Sequence, residues 1–247
     1  MVATFDTFTI TAANLPEHAR NPIHTDAGAQ AAGFPRALVA GVTTYAYLTH
    51  PLVAGWGVDW LGAGTSEVRF RSPVFDGDLL ECVPLVADDR VRVEARVRGD
   101  GTARAAIEAT IGSVQVPTVR DGEVLRDREI RLDGELGHDY GWRAGDEFPL
   151  FREQNLVHPA VWPAIANVVV HADVARGSWI HTRSLVRHHA LASAGSTACV
   201  RSTVVRRFET SLGERAILDV VITVDGAVVA TLEHEALVAL RPAASGG

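Results

Sequence analysis

The 247-residue sequence predicts an α+β fold built from two similar units. A long apolar segment is followed by a run of short strand-like segments, and this order of elements occurs twice along the chain. Weak identity at one constant offset, between residues 68–78 and 186–196, also indicates a duplicated unit. We therefore expect an N-terminal unit over residues 1–117, a surface connector without regular structure over 118–146, and a C-terminal unit over 147–247.

The first unit opens with a predicted buried helix over residues 36–56, which is apolar on all sides. Gly41 lies near its start and Pro51 at its expected end. Short strands of an antiparallel meander follow, and one of them alternates strictly between apolar and polar residues, as a half-exposed strand does. These predicted strands cover residues 65–72, 79–87, 90–98 and 104–112.

The second unit repeats this order, with a predicted helix over residues 158–175 in which Pro159 takes a first-turn position. Its predicted strands cover residues 178–191, 197–209, 215–225 and 227–240, and the last seven residues, "RPAASGG", are expected to form a frayed end. If each sheet covers its own helix, the two sheets can pair edge to edge. A ligand channel is then expected at their junction.

Composition excludes several classes of function. The net charge of −7 and the pI near 5.8 argue against nucleic-acid binding, which needs a basic surface. All 23 basic residues are arginine, so a catalytic or Schiff-base lysine and a lysine-containing phosphate loop are excluded. No apolar run approaches the roughly 18 residues of a membrane span. Because the N-terminus also lacks the pattern of an export signal, we expect a cytoplasmic protein that does not contact membranes.

The histidines outside the first unit do not predict a metal site. His188 and His189 are adjacent in a predicted strand and point to opposite faces. With His181, they are expected to lie on a polar face of the sheet. His171 and Asp173 are two residues apart on a predicted helix, so their side chains do not converge. We therefore predict no bound metal.

Three motifs occur in order in the first unit: "NPIH" at residues 21–24, "FPRALVAG" at 34–41 and "VRFRSPVFDGDLL" at 68–80. With them the chain resembles the MaoC-like, (R)-specific enoyl-thioester hydratase and dehydratase family in its tandem form. The resemblance covers residues 5–112 by motif and residues 147–240 by element order alone. It implies a double hotdog, in which two long helices are each wrapped by an antiparallel sheet.

The resemblance also implies roles for particular residues. His24 matches the family histidine that adds or removes water across a double bond conjugated to a thioester, and imidazole suits proton transfer near neutral pH. Gly41 matches the residue whose amide holds the thioester oxygen, and a helix N-terminus offers unpaired N–H groups for this purpose. Around them, the residues predicted to bind the substrate are Asn21, Ala40, Val42 and Tyr45. No cofactor is expected beyond the coenzyme A or phosphopantetheine of the substrate.

The chain departs from the family pattern at one position. The family aspartate stands two residues before the asparagine, where this chain has Ala19. Glu17, His18 and Asp26 are the nearby polar replacements, although none has the family spacing and Asp26 is expected to serve in surface or helix capping. The second unit has neither the NPxH corner nor a glycine at the start of its helix, so we expect it to be non-catalytic.

Three hypotheses of function follow. The first is an enoyl-thioester hydratase or dehydratase acting on an acyl-CoA or an acyl-carrier-protein thioester. The second is a single-base double-bond isomerase or eliminase, since one imidazole can move a proton between two carbons. The third is a non-catalytic acyl-thioester-binding subunit, in which His24 only bonds loop carbonyls and Gly41 only permits close packing. A homodimer or a partner hotdog subunit is compatible with each.

Overall fold

The computed structural model describes residues 3–241. Residues 1–2 and 242–247, the outer ends of the two predicted units and most of the predicted frayed end, lie outside the described residues. Eleven strands form one antiparallel sheet, and they are β1 Phe8–Thr11, β2 Gly64–Phe70, β3 Leu79–Ala87, β4 Arg90–Val97, β5 Ala103–Ile111, β6 Glu123–Val124, β7 Arg128–Arg131, β8 Ile180–His188, β9 Thr197–Thr210, β10 Gly213–Val224 and β11 Ala227–Leu240.

The helices pack on one face of this sheet or in the loops beside it. They are α1 Asp26–Ala31, α2 Gly41–Ala63, α3 Tyr140–Arg143, α4 Leu150–Glu153 and α5 Val161–Val169, with a π-turn at Val170–Val174 after the last. Short 3-10 turns cover Pro16–Arg20, Pro22–His24 and Gly134–Leu136. The two apolar central helices, α2 and α5, thus pack against one sheet. The predicted α+β class and double hotdog arrangement are confirmed.

The two halves of the sheet meet where β2 pairs with β8. The strand order is β1-β3-β4-β5-β2-β8-β11-β10-β9-β6, with β7 also paired to β9. Across the junction, five residue pairs run from Thr65 with Arg187 to Arg69 with Arg183. The expected edge-to-edge pairing of the two units is therefore present, and it makes one continuous sheet.

The predicted central helix starts as expected but ends differently. Gly41 is its first residue, whereas Pro51 lies inside α2 rather than at its end. Proline removes only one N–H from the helix, and the surrounding core covers this segment on all sides, so the helix continues. Gly57, with φ 60° and ψ −144°, interrupts it instead, in a conformation that glycine adopts without strain. In the second unit, α5 begins at Val161, so Pro159 precedes the helix rather than opening it.

The connector over 118–146 is more structured than its sequence predicts. It contains β6 and β7, which pair with β9, and its side chains Leu132 and Tyr140 are buried in the core. Most of the segment is exposed, as expected of a connector, but the short pairings and the two apolar anchors leave no periodic signal in the sequence and were not predicted. The exact limits of the two units remain a prediction.

His181 and His188 of the C-terminal unit are buried, so the polar sheet face expected for them was wrong. Both lie on the side of the sheet that faces the helices, with 5% and 1% of their surface exposed, and His234 of β11 is completely buried. For His181 the cause is a bulge in β8. The pairs Arg183 with Glu235 and His181 with Ala236 leave Thr182 as an extra residue, which brings His181 to the inner face.

His188 generates a prediction for stability against pH. Its ring packs edge-on to Trp60, neither ring nitrogen has a hydrogen-bond partner among residues 3–241, and burial lowers the pKa of His188 to about 3. Between pH 6.5 and 3 the unfolded state therefore binds a proton that the folded state does not, so stability falls as pH falls, by up to about 1.4 kcal/mol per pH unit. In His188→Leu this contribution is lost, so the free energy of unfolding should fall less steeply with decreasing pH, by a similar amount per pH unit. Urea unfolding at pH 7, 6 and 5 measures the difference.

The matched control is His189→Leu. His189 is only half-buried, and its Nε2 lies 2.9 Å from Thr231 Oγ1. Its replacement should change the slope less. Equal slopes for the wild type and His188→Leu would contradict the assignment of His188 as a neutral core residue.

Candidate active site

The Asn-Pro corner is fixed between the two units. Asn21 precedes the 3-10 turn Pro22–His24, and its Oδ1 accepts a long hydrogen bond of 3.5 Å from Ile23 N. The amide group of the same side chain donates to Trp179 O at 2.9 Å, across the boundary between the units. Because Asn21 is only 3% exposed, this bond forms away from bulk water. The position of His24 therefore depends on the C-terminal unit as well as on its own loop.

His24 has one ring nitrogen engaged and one available. Its Nδ1 lies 2.7 Å from Leu38 O, and because a carbonyl only accepts, Nδ1 carries the hydrogen. Nε2 is then the basic nitrogen of the neutral ring. Burial lowers the pKa of His24, so the ring is uncharged at neutral pH. One nitrogen bonds a loop carbonyl and the other remains free to accept a proton.

Gly41 supplies N–H donors at the start of α2. The residue before it, Ala40, has no side chain that can cap the helix. Neither the N–H of Gly41 nor that of Val42 donates a hydrogen bond within the described part of the chain. A Cβ atom at Gly41 would lie 3.3 Å from His181 Nδ1 and from the ring of Phe70. The glycine thus keeps the approach to these N–H groups open.

A cavity of about 390 Å³ brings His24 and Gly41 together. It lies between the units, and its volume is within the usual range for small-molecule sites. Its apolar lining consists of Ile23, Phe34, Leu38, Val39, Phe70, Pro73, Val74, Ala105, Trp179, Ile180, Leu212 and Leu237. Among its described lining residues there is no aspartate or glutamate. The cavity can therefore bury an acyl chain, and its polar lining includes the arginines Arg71 and Arg215 as well as His24.

A smaller cavity of about 70 Å³ also reaches His24. Four residues line both cavities, and these are Asn21, His24, Asn167 and Trp179. The smaller one is more polar, with His18, Glu17 and Tyr140 in its wall. Its volume exceeds the roughly 10–15 Å³ that one water molecule requires. His24 thus lies between an acyl-sized cavity and a water-sized one.

The residues near Ala19 do not rebuild the family carboxylate. Ala19 is exposed, Glu17 forms an ion pair of 2.5 Å with Arg143, and Asp26 Oδ1 accepts from Ala37 N at 2.8 Å. His18 is the nearest polar ring, with its centroid 5.8 Å from that of His24. Each nearby carboxylate therefore has a structural partner already.

His18 is held neutral beside His24. Its Nε2 lies 3.2 Å from Thr43 Oγ1 and 3.4 Å from the hydroxyl of Tyr140. Burial, and then the proximity of His24, lower the pKa of His18 to about 4. At neutral pH the site thus pairs two uncharged imidazoles where the family pattern has an imidazole and a carboxylate.

The other predicted binding residues are distributed unevenly. Val42 lines the smaller cavity and Asn21 lines both. Ala40 and Tyr45 are buried and do not line either cavity, and the Tyr45 hydroxyl lies 2.9 Å from Ser66 Oγ. Sequence reasoning missed Phe70, Asn167, Trp179 and His181, which line the larger cavity. The bulge that turns His181 inward leaves no sequence signal.

Within residues 3–241, no group of three or more histidine, cysteine, aspartate or glutamate side chains could hold a metal ion. No helix in that same range has the length and apolar character needed to cross a membrane.

Part of the chain that forms this site matches a known protein family. Residues 14–108 match the family model described as MaoC like domain. A "3-hydroxyacyl-thioester dehydratase Y" of Mycobacterium tuberculosis is 34% identical over 100 residues, which is 39% of this chain and 34% of that protein. The match thus spans about a third of the length of that relative.

Solved structures extend the likeness to the whole chain. A "putative MaoC domain protein dehydratase" from Chloroflexus aurantiacus has a TM-score of 0.65 and 14% identity, covering 96% of this chain and 95% of its own. A conserved hypothetical protein from Mycobacterium tuberculosis, described as having a double hotdog fold, has a TM-score of 0.62 and 13% identity, covering 95% and 96%. At such identities these two structures show the fold alone. Residues 14–108 are therefore a MaoC-like domain, and they form part of a double hotdog fold.

Proposed function

We propose that this protein is a hydratase or dehydratase of acyl thioesters, with His24 as its acid and base and the Gly41 amide as an oxyanion donor. The observation that carries the proposal is that a free imidazole nitrogen and an unpaired helix N-terminus line one apolar cavity. The family match over residues 14–108 supports the same class of reaction. The substrate is a 2-enoyl or 3-hydroxyacyl thioester of coenzyme A or of a carrier protein.

In the hydration direction, the thioester oxygen accepts a hydrogen bond from the N–H of Gly41. His24 Nε2 removes a proton from water as the water oxygen adds to Cβ, and the electrons of the double bond move to the thioester oxygen as an enolate. The imidazolium then returns that proton to Cα, so the atoms of one water molecule are added in full. Dehydration is the reverse. The N–H donor stabilises the enolate more than the ground-state carbonyl, and this difference lowers the barrier.

The smaller cavity supports a way to hydrate without the family carboxylate. A water molecule held there has His24, His18 and Asn167 as polar neighbours. Asn167 is in the wall of both cavities, and its side-chain amide gives such a water a polar neighbour besides the two imidazoles. These uncharged groups orient the water, while His24 alone exchanges the proton.

A second candidate is a double-bond isomerase acting on the same thioesters. One observation favours it: none of the described residues around the larger cavity is a carboxylate, so His24 is the main base there. The imidazole would remove a proton from one carbon of the bound enoyl chain and return it to another, through the same enolate. This reaction needs no water, which separates it from hydration.

The central variant is His24→Asn. The amide nitrogen of asparagine occupies the place of Nδ1 and keeps the hydrogen bond to Leu38 O, but the basic Nε2 is lost. Hydration of crotonyl-CoA and longer 2-enoyl-CoA thioesters, measured by loss of the conjugated absorbance, should fall by roughly 10²- to 10⁴-fold. The control His189→Asn, far from either cavity lining, should retain the wild-type rate.

The same substrates in D₂O distinguish the rival functions. Deuterium incorporation into the acyl chain without net hydration indicates the isomerase, and tight thioester binding with neither reaction indicates a non-catalytic binding subunit. A wild-type rate of hydration in His24→Asn would contradict the role given to His24.

The second variant is Gly41→Ala, with Gly62→Ala as its matched control in the same helix. Both changes favour the helix by reducing the freedom of the unfolded chain. At residue 62 the added methyl group meets nothing nearer than 3.7 Å, whereas at residue 41 it faces the cavity, 3.3 Å from His181 and Phe70. We expect Gly41→Ala to lose roughly ten- to a hundredfold in kcat/KM with its thermal midpoint retained. Full activity in both variants would argue against thioester binding at this helix N-terminus.

A further inference from the structure

The C-terminal unit contributes a buried histidine to the cavity. His181 is 5% exposed, lines the cavity of about 390 Å³, and its ring centroid lies 4.7 Å from that of Phe70. Its Nδ1 has no hydrogen-bond partner among the described residues. The same atom lies 3.3 Å from the place that a Cβ of Gly41 would occupy. An unpartnered ring nitrogen thus faces the N-terminus of α2 from the opposite unit.

The other nitrogen of His181 belongs to a buried chain of polar groups. His181 Nε2 lies 2.7 Å from Ser184 Oγ, and Ser184 Oγ lies 2.8 Å from His234 Nδ1. The two imidazoles stack with their centroids 4.2 Å apart. A hydroxyl has one hydrogen to donate. When Ser184 donates it to His181 Nε2 and accepts from His234 Nδ1, His181 carries its own hydrogen on Nδ1, the atom close to residue 41.

We propose that the Nδ1–H of His181 is a second donor to the thioester oxygen, beside the N–H of Gly41. This inference rests on the proposed function, because it concerns the same bound carbonyl. It gives the C-terminal unit a direct part in catalysis. Ser184 and His234 are positioning residues, since they set the tautomer and orientation of His181 without touching the substrate.

The surroundings of His181 favour a donor over a proton-transferring base. Burial, and then the nearby His234, lower the pKa of His181 well below its ordinary value, and burial lowers that of His234 to about 3. Both rings are therefore neutral at pH 7, and a neutral imidazole can donate a hydrogen bond without giving up its proton. Such a fixed donor in a site of low polarity stabilises a developing enolate strongly.

An unpartnered buried nitrogen alone does not indicate a ligand. His188 also lacks partners for both ring nitrogens, but it lines none of the described cavities. His181 differs because the residue lines an acyl-sized cavity and its unpartnered atom lies close to residue 41. The bulge at Thr182 is what places it there, and bulges commonly redirect side chains next to active sites.

The experiment compares His181→Asn with His181→Gln. The amide nitrogen of asparagine falls near the place of Nδ1 and keeps a donor at the cavity, whereas glutamine reaches toward Ser184 and removes it. Two readouts are measured with crotonyl-CoA carrying ¹³C at the thioester carbonyl, namely the hydration rate and the carbonyl stretching frequency of the bound thioester in infrared difference spectra. His189→Asn is the control for a histidine change away from the cavity.

We expect the wild type to lower the carbonyl stretching frequency on binding. His181→Gln should lose part of that shift and roughly 10²- to 10³-fold in kcat with little change in KM, while His181→Asn recovers a measurable part of both.

A wild-type rate and carbonyl shift in His181→Gln would overturn the role of His181 and leave the hydratase proposal standing. If the wild type binds the thioester but does not hydrate it, and the shift still depends on His181, the hydratase proposal fails while His181 remains a carbonyl donor. A wild type that binds no thioester would overturn both.

Discussion

The antiparallel pairing of β2 with β8 is the constraint on which the site depends. It fuses two sheets into one and fixes the C-terminal unit against the loop that carries His24. Just beyond the last pair of this junction, Phe70 and His181 come together at the cavity. The hydrogen bond from Asn21 to Trp179 O also crosses between the units. Neither half of the chain could form this cavity alone, because each supplies only part of its wall.

Burial keeps the imidazoles of this site uncharged, and this limits the chemistry that they can perform. The imidazoles of His18, His24 and His181 all lie where desolvation disfavours their protonated forms. The nearest carboxylate, Glu17, is engaged by Arg143. Neutral imidazoles and backbone N–H groups suit a reaction whose only new charge is a transient enolate, because those dipoles need little rearrangement as the charge develops.

Much of the fold was predictable, because repeated apolar helices followed by strands leave strong periodic signals. The start of α2 at Gly41 and the joined sheets followed from such patterns. The end of that helix did not, since a core that surrounds Pro51 overrides the usual effect of proline and Gly57 makes the break instead. Of the candidate site, the motifs predicted His24 and Gly41, and both line the larger cavity. His181 was not, because a one-residue bulge reverses the face of a strand and depends on its partner strand rather than on local sequence.

The most direct measurement is a crystal structure of the protein with a non-reactive 2-enoyl thioester analogue bound. The account predicts that the acyl chain fills the cavity of about 390 Å³, with the carbonyl oxygen about 2.7–3.1 Å from the nitrogen of Gly41 and with Cβ facing Nε2 of His24. An analogue bound elsewhere, or bound in this cavity with its carbonyl directed away from the N-terminus of α2, would contradict it.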